Sequence, residues 1–184
     1  EEMYDNALTT VSVDKITKVL CGKTRPVHFA GVCTVVSKLF NIVKPDRAYF
    51  GQKDAQQLIV VKKMVKDLNF DIEIVGCPIV READGLAKSS RNTYLNAEER
   101  KAALCLSRGL SAGRKLIENG ERSAEAVKNV VRGEIEKEQL AKIDYVEAVN
   151  AETLDNAETA EAPLLVAVAV YIGKTRLIDN FIVE

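Results

Sequence analysis

The chain has one histidine, His28, and no tryptophan. A single imidazole excludes a histidine-based triad, a histidine pair and any multi-histidine metal site. Its four cysteines, Cys21, Cys33, Cys77 and Cys105, lie far apart with no C-x-x-C pair, so zinc and dithiol redox signatures are missing. Each sits among apolar neighbours, and buried thiols are the expectation. No apolar run approaches the roughly 20 residues that span a bilayer. The longest, Pro163 to Ile172, is strand-sized. The opening Glu1-Glu2-Met3-Tyr4-Asp5 is acidic and lacks the basic-then-apolar layout of a signal peptide. A cytoplasmic protein with no membrane contact is expected. A net charge of −1 gives no general attraction to nucleic acid, so none is expected as a partner, and any anion must be bound locally.

What is present suits a folded chain. Of 184 residues, 47% are hydrophobic and 29% charged, enough for one generous domain or two small ones. Tyr4 to Val13 reads as extended, with Thr9, Val11 and Val13 on one face. Ser12 or Asp14 is placed to cap a short helix through Leu20, ended by Gly22. Between Val27 and Val43 the apolar positions Val32, Val35, Val36, Leu39, Phe40 and Val43 recur at helical spacing, and Pro45 stops that helix. Arg47 to Phe50 reads as a short buried strand. Asp54 to Leu68 reads as a helix with Leu58, Val61, Val65 and Leu68 inward, and Asp71 to Val75 as another strand. Helix, strand, helix, strand is the order of a parallel α/β sheet.

After Cys77-Pro78 the texture changes. Long helices are expected over 98–118, ended by Gly120, and over 123–138. Strands follow at 143–149, 164–170 and 176–183, the last two joined by a hairpin-sized loop containing Gly173. The expected division is a partial Rossmann-like nucleotide-binding lobe over 1–79 and a small α+β domain over 80–184. Two parallel strands are too few for a sheet covered on both faces. The first lobe therefore reads as the second half of a dinucleotide-type domain, and its severed sheet edge predicts self-association.

Two polar runs carry the chemistry. Gly51, Gln52, Lys53 and Asp54 follow a strand and open a helix, where ligands of open α/β sheets bind. Free N–H groups and the helix dipole favour an anion there. Lys53, Asp54 and Gln57 share one helical face. The alternative is an ordinary helix start with Asp54 as N-cap and Lys53 solvated. Lys88, Ser89, Ser90 and Arg91 follow an Asp84-Gly85 turn, and their hydroxyls and guanidinium suit a polyphosphate. The alternative is a solvated loop that caps the next helix, or a phosphorylation-prone tract. A third basic loop, Lys23 to His28, contains Arg25, which suits a carboxylate; for His28 a structural hydrogen bond is the expectation. Gly173-Lys174-Thr175 lacks the upstream glycine and strand-to-helix context of a P-loop.

Taken together, these segments resemble the pantoate–β-alanine ligase (pantothenate synthetase) family. The match runs through Arg25-Pro26-x-His28-Phe29-x-Gly31-Val32, Lys38-Leu39-Phe40-Asn41 and Phe50-Gly51-x-Lys53-Asp54-x-Gln56-Gln57-Leu58. It continues through Asp84-Gly85-Leu86-Ala87-x-Ser89-Ser90-Arg91-Asn92 to Arg176-Leu177-Ile178-Asp179-Asn180.

The resemblance implies a class I nucleotidyltransferase-like Rossmann lobe, binding nucleotide and pantoate, with a smaller lid lobe, and a homodimer. It also implies condensation of pantoate with β-alanine, driven by Mg²⁺-ATP through a pantoyl adenylate. By motif, Gly51, Gln52, Lys53 and Asp54 would line ATP, Lys53 and Arg91 acting on its phosphates. Val80 would touch adenine, and Lys88 to Arg91 would close on the triphosphate. Gln57 and Arg25 would serve pantoate. Lys88 stands where many members carry Met or Leu. The family's H-x-G-H turn is not in this sequence, so a C-terminal portion, inactive by itself, is the expectation. A non-catalytic nucleotide-binding or self-associating module, and a related nucleotidyltransferase with another substrate, are the alternatives.

Overall fold

The computed structural model describes residues 3–184. Glu1 and Glu2, part of the acidic opening and of the expected 1–79 lobe, lie outside the described residues. The chain divides into two compact units, one running to Phe50 and resuming over Gln56–Gly76, the other comprising Gly51–Ala55 and Cys77–Glu184.

In the first unit, helices α1 (Cys21–Thr24), α2 (His28–Val43) and α3 (Ala55–Asp67) accompany strands β1 (Arg47–Gly51) and β2 (Glu73–Cys77), which pair in a parallel two-stranded sheet. α2 starts and stops within one residue of expectation. It ends because Lys44 turns left-handed (φ 49°) and caps onto Phe40 O, before Pro45 is reached. Its buried face overlaps only partly with the expected one, Phe40 being buried and Val32 and Val36 packed against the core. Phe29, Cys33, Ser37 and Phe40 point inward, while Leu39 and Val43 are exposed. α3 buries Leu58, Val61 and Val65 as expected, but Leu68 lies beyond its end and is exposed. Phe29, Cys33, Phe40, Val60, Val61, Met64 and Val65 form the core of this unit, with the half-buried Ala48 and Phe50 of β1 against it.

The run over residues 4–13, expected to be extended, pairs in no sheet; Val11 donates its N–H to Thr34 Oγ1 on α2 at 2.9 Å. Two expectations fail here. No helix runs from Asp14 to Leu20, because Lys15 and Leu20 adopt positive φ, and Gly22 lies inside α1 rather than ending a helix. A Cβ on Gly22 would stand 1.8 Å from Thr17 O, so glycine there permits close approach of the turn. β1 is not buried, since Arg47, Tyr49 and Gly51 face outward.

The second unit contains α4 (Ala97–Ala102), α5 (Leu104–Glu118), α6 (Ala124–Glu136) and the strands β3 (Ala141–Asn150), β4 (Leu164–Ile172) and β5 (Thr175–Val183). The single long helix expected over 98–118 is two, interrupted at Ala103. Asn96 forms a capping box with Glu99 at the start of α4, and Ser123 caps α6 through Ala126 N–H. The strands form an antiparallel sheet in the order β3-β4-β5. β5 returns from β4 through a two-residue turn at Gly173-Lys174, with Ile172 opposite Thr175 and Gly173 at φ +55°. That hairpin accounts for the Gly-Lys-Thr run.

α5 and α6 cover one another and the sheet. A Cβ on Gly113 would lie 2.5 Å from Val131 Cγ2 and one on Gly109 3.0 Å from Val131 O, so this spacing lets α6 approach closely. Every residue of β4 except Tyr171 is buried. Each such aliphatic side chain contributes roughly 1.5–3 kcal/mol of burial, which makes β4 the fixed reference for what β5 carries.

None of the four cysteines forms a disulfide. Cys33 and Cys105 are fully buried, and burial pushes the Cys105 thiol up to about 11. Cys21 and Cys77 are only half-buried, because each sits at an element end rather than on a core face. Among the described residues, no helix is long and apolar enough to cross a membrane.

Candidate functional site

The second unit holds a concavity of about 220 Å³, lined by Lys53, Asp54, Ser89, Ser90, Arg91 and the strand residues Arg176 and Asp179, among others. Its volume lies below the few hundred Å³ of a drug-sized pocket and suits the tail of a ligand. Three segments carry its polar lining, with Leu86, Ala87 and Leu106 forming an apolar wall. Gln52–Asp54 form a single 3-10 turn between β1 and α3, with no side-chain cap at its start, Gly51. Ser90–Tyr94 form another 3-10 turn, capped by Ser89, whose Oγ accepts from Arg91 N–H at 3.2 Å. The third segment is the start of β5.

The cations in this concavity differ in their commitments. Arg176 is tied to Asp144 through Nε and Nη2, at 3.0 and 2.7 Å from Oδ2, with both side chains largely buried. A β-bulge between Ile143 and Tyr145 places Asp144 there. Arg91 donates to Arg176 O at 3.1 Å, and among the described residues no carboxylate pairs with it. Lys53 stands 3.5 Å from Asp54, itself about half exposed. Lys53 and Arg91 therefore keep most of their charge for an incoming anion, with the Ser89 and Ser90 hydroxyls beside them.

Of the other residues singled out from sequence, Lys88 lies 3.9 Å from Glu82 and is half-exposed. It does not line this concavity. Val80 is exposed, and its carbonyl accepts from Lys88 N–H at 2.9 Å. Gln52 lines a broader, basic groove of about 870 Å³ with Arg108, Arg114 and Lys115. The Asp84-Gly85 turn is present, Gly85 at φ +95°. Gln57 and Arg25 belong to the first unit, Gln57 half-buried on α3 and Arg25 exposed. Neighbouring Gln56 is taken up by the fold: it accepts from Cys21 N–H and donates to the carbonyls of Ile16 and Val19 at 2.9 and 2.7 Å. The His28 ring packs 5.0 Å from that of Phe29. Among the described residues, no group of three or more His, Cys, Asp or Glu is arranged to hold a metal ion.

Sequence reasoning assigned no role to Arg81, Asp144, Asp179 or Asn180. Asp179 and Asn180 are each 2% exposed. Arg81 grips Asp179 with both Nη atoms, at 2.7 and 3.0 Å, and Asn180 Nδ2 donates to Gln52 O and Lys53 O. The available signal was two consecutive polar residues inside an apolar strand, a pattern with no place on an ordinary alternating face.

The model of the pantoate-beta-alanine ligase family matches residues 1–182. The chain belongs to that family. Members include a pantothenate synthetase of Clostridium acetobutylicum, 62% identical over 98% of this chain and 64% of its own length. One from Clostridioides difficile is 60% identical over all of this chain and 66% of its own length. The chain thus spans about two thirds of these relatives. A crystal structure of pantothenate synthetase from Thermus thermophilus is similar at a TM-score of 0.94, with 43% identity over 98% of this chain and 66% of that one. A pantoate-beta-alanine ligase from Francisella tularensis, complexed with beta-gamma ATP and beta-alanine, is similar at a TM-score of 0.70, with 32% identity over 98% of this chain and 60% of that one. The α/β fold is that of these nucleotidyltransferase-like structures.

Proposed function

We propose that this chain carries the phosphate-handling part of a pantoate–β-alanine ligase. In the reaction, a pantoate carboxylate oxygen attacks the α-phosphorus of ATP, and pyrophosphate leaves. The β-alanine amine then attacks the pantoyl-adenylate carbonyl, AMP leaves, and pantothenate forms. The observation that carries the reading is the convergence of Lys53, Ser89, Ser90 and Arg91 on one concavity from two separate turns. Negative charge grows on the phosphate oxygens as the leaving pyrophosphate separates, and preorganised cations and donors there are worth several kcal/mol. The family membership and the complex of the Francisella relative with beta-gamma ATP and beta-alanine support these substrates.

The remaining roles belong to the same proposal. Lys53 and Arg91 would hold the triphosphate, with Gly51 and Asp54 beside it; Val80 and Gln52 would lie towards the nucleoside, and Lys88 at the rim. Gln57 and Arg25 would serve pantoate. Mg²⁺ would be held by ATP oxygens and water, neutralising phosphate charge, since among the described residues no group of three or more His, Cys, Asp or Glu is arranged to cage it. A cytoplasmic homodimer, with lobes over 1–79 and 80–184, completes it. The test is pantoate-dependent pyrophosphate release by a chimera in which residues 1–184 replace the matching segment of the Clostridium acetobutylicum relative. Release that falls at least about 100-fold with Lys53→Ala is expected. Release independent of pantoate, or unchanged by that substitution, contradicts the proposal.

A further inference from the structure

We infer that Asn180 is a positioning residue that sets Lys53 for phosphate binding, an inference that rests on the reading of the Lys53 concavity as a phosphate site. The turn at Gln52–Asp54 has no side-chain cap of its own. Asn180 Nδ2 ties it down through its carbonyls instead, donating to Gln52 O at 2.9 Å and to Lys53 O at 3.0 Å. Both hydrogens of one amide nitrogen are thereby spent on the two carbonyls that bracket the Lys53 side chain. Neither Asp, which donates none when ionised, nor Ser, which donates one, can do this.

The rest of the amide shows that packing does not explain the residue. Its Oδ1 is buried and has no hydrogen-bond partner among the described residues, a state that an apolar side chain of similar size would avoid. The site tolerates that orphan acceptor, and what it obtains is the pair of N–H donors aimed at the turn.

Asn180 is itself held from both sides. It lies opposite Ala167 on the buried strand β4. Its backbone N–H donates to Asp179 Oδ1 at 2.8 Å, and Asp179 takes both Nη atoms of Arg81, whose Nη1 also reaches Gly85 O at 3.0 Å. Adjacent residues of one strand thus fix the turn carrying Lys53 and the turn that precedes Ser89.

The test is calorimetric titration of ATP and of adenosine into the unmodified chain, Asn180→Ala, Lys53→Ala and the double variant. Asn180→Ala is expected to weaken ATP about tenfold, through loss of the two turn hydrogen bonds, while adenosine stays within about twofold. In the Lys53→Ala background the same change should cost less than about threefold, since a residue acting through Lys53 has nothing left to position. Equal losses with and without Lys53, or unchanged ATP affinity, overturn the inference. If ATP binding ignores Lys53 altogether, the phosphate reading fails instead. Amide hydrogen exchange at residues 52–54 without nucleotide then decides the clamp by itself: faster exchange in Asn180→Ala upholds it, and unchanged exchange overturns it. Should the alanine variant not fold, Asn180→Ser retains one donor and should weaken ATP by a smaller factor; full affinity would overturn the inference.

Discussion

The two compact units are built from the same kinds of element but spend their residues differently. In the first, no residue of β1 or β2 is fully buried, and Leu39, Ile42, Val43 and Tyr49 remain exposed. In the second, β4 is almost wholly buried and β5 buries Asp179 and Asn180 beside Leu177 and Phe181. A strand sealed that well can carry polar groups at fixed positions, because its neighbours hold register on both faces. The candidate phosphate residues lie in the unit that has such a strand. Rigid scaffolds place short turns; half-buried sheets place little.

The comparison is sharpest in core truncations. Leu164→Ala, at a fully buried position of β4, should cost about 3–4 kcal/mol, whereas Ile74→Ala on half-buried β2 should cost about 1 kcal/mol. Urea denaturation of the two variants measures both, and equal costs would break the contrast. Next in size is the buried pair. Arg81→Ala leaves Asp179 without its guanidinium in a site that is 2% exposed, and a loss of about 3 kcal/mol is expected. Thermal unfolding checks it.

The Cys105 thiol gives a pH dependence confined to the second unit. Burial raises it from 9.0 to about 11, so the folded chain keeps a proton that the unfolded chain releases above pH 9. Stability is therefore complete below pH 9 and should fall by about 2 kcal/mol as pH rises to 11. Cys105→Ala should lose that component of the slope in denaturation curves taken at pH 8, 9, 10 and 11. The smallest effect belongs to the first unit's surface. Arg47 and Glu73 pair at 2.6 Å with both side chains about 60% exposed, so Arg47→Ala should leave the denaturation midpoint almost unchanged, with the small remaining difference shrinking at high salt.

How much of this was legible in the sequence depends on whether the deciding force is local. The bounds of α2, α6 and the three antiparallel strands follow from periodicity and caps. Which face of α2 turns inward does not: Leu39 and Val43 fit the helical period as well as Phe29 and Cys33, and only packing against α3 separates them. The helix expected at 14–20 fails because Lys15 and Leu20 take positive φ, while Gln56, 35 residues on from Cys21, supplies the turn's hydrogen bonds. At the candidate site, Lys53 and Ser89 to Arg91 could be picked out because each run has a local turn signal. The polar pair Asp179-Asn180 in an apolar strand marks the position of Asn180 but not its role, since its partners Gln52 and Lys53 lie 128 and 127 residues away and no local pattern encodes such a contact.

One measurement bears most directly on the central claim. Two concavities of the second unit carry cations, one with Lys53 and Arg91 and a broader one with Arg108, Arg114 and Lys115. Amide chemical-shift changes on titrating Mg²⁺-ATP into the chain discriminate between them. With phosphate bound at the Lys53 concavity, the largest changes are expected at Lys53, Ser89, Ser90 and Arg91. Largest changes along Arg108 to Lys115, or none at Lys53 at saturation, would contradict it.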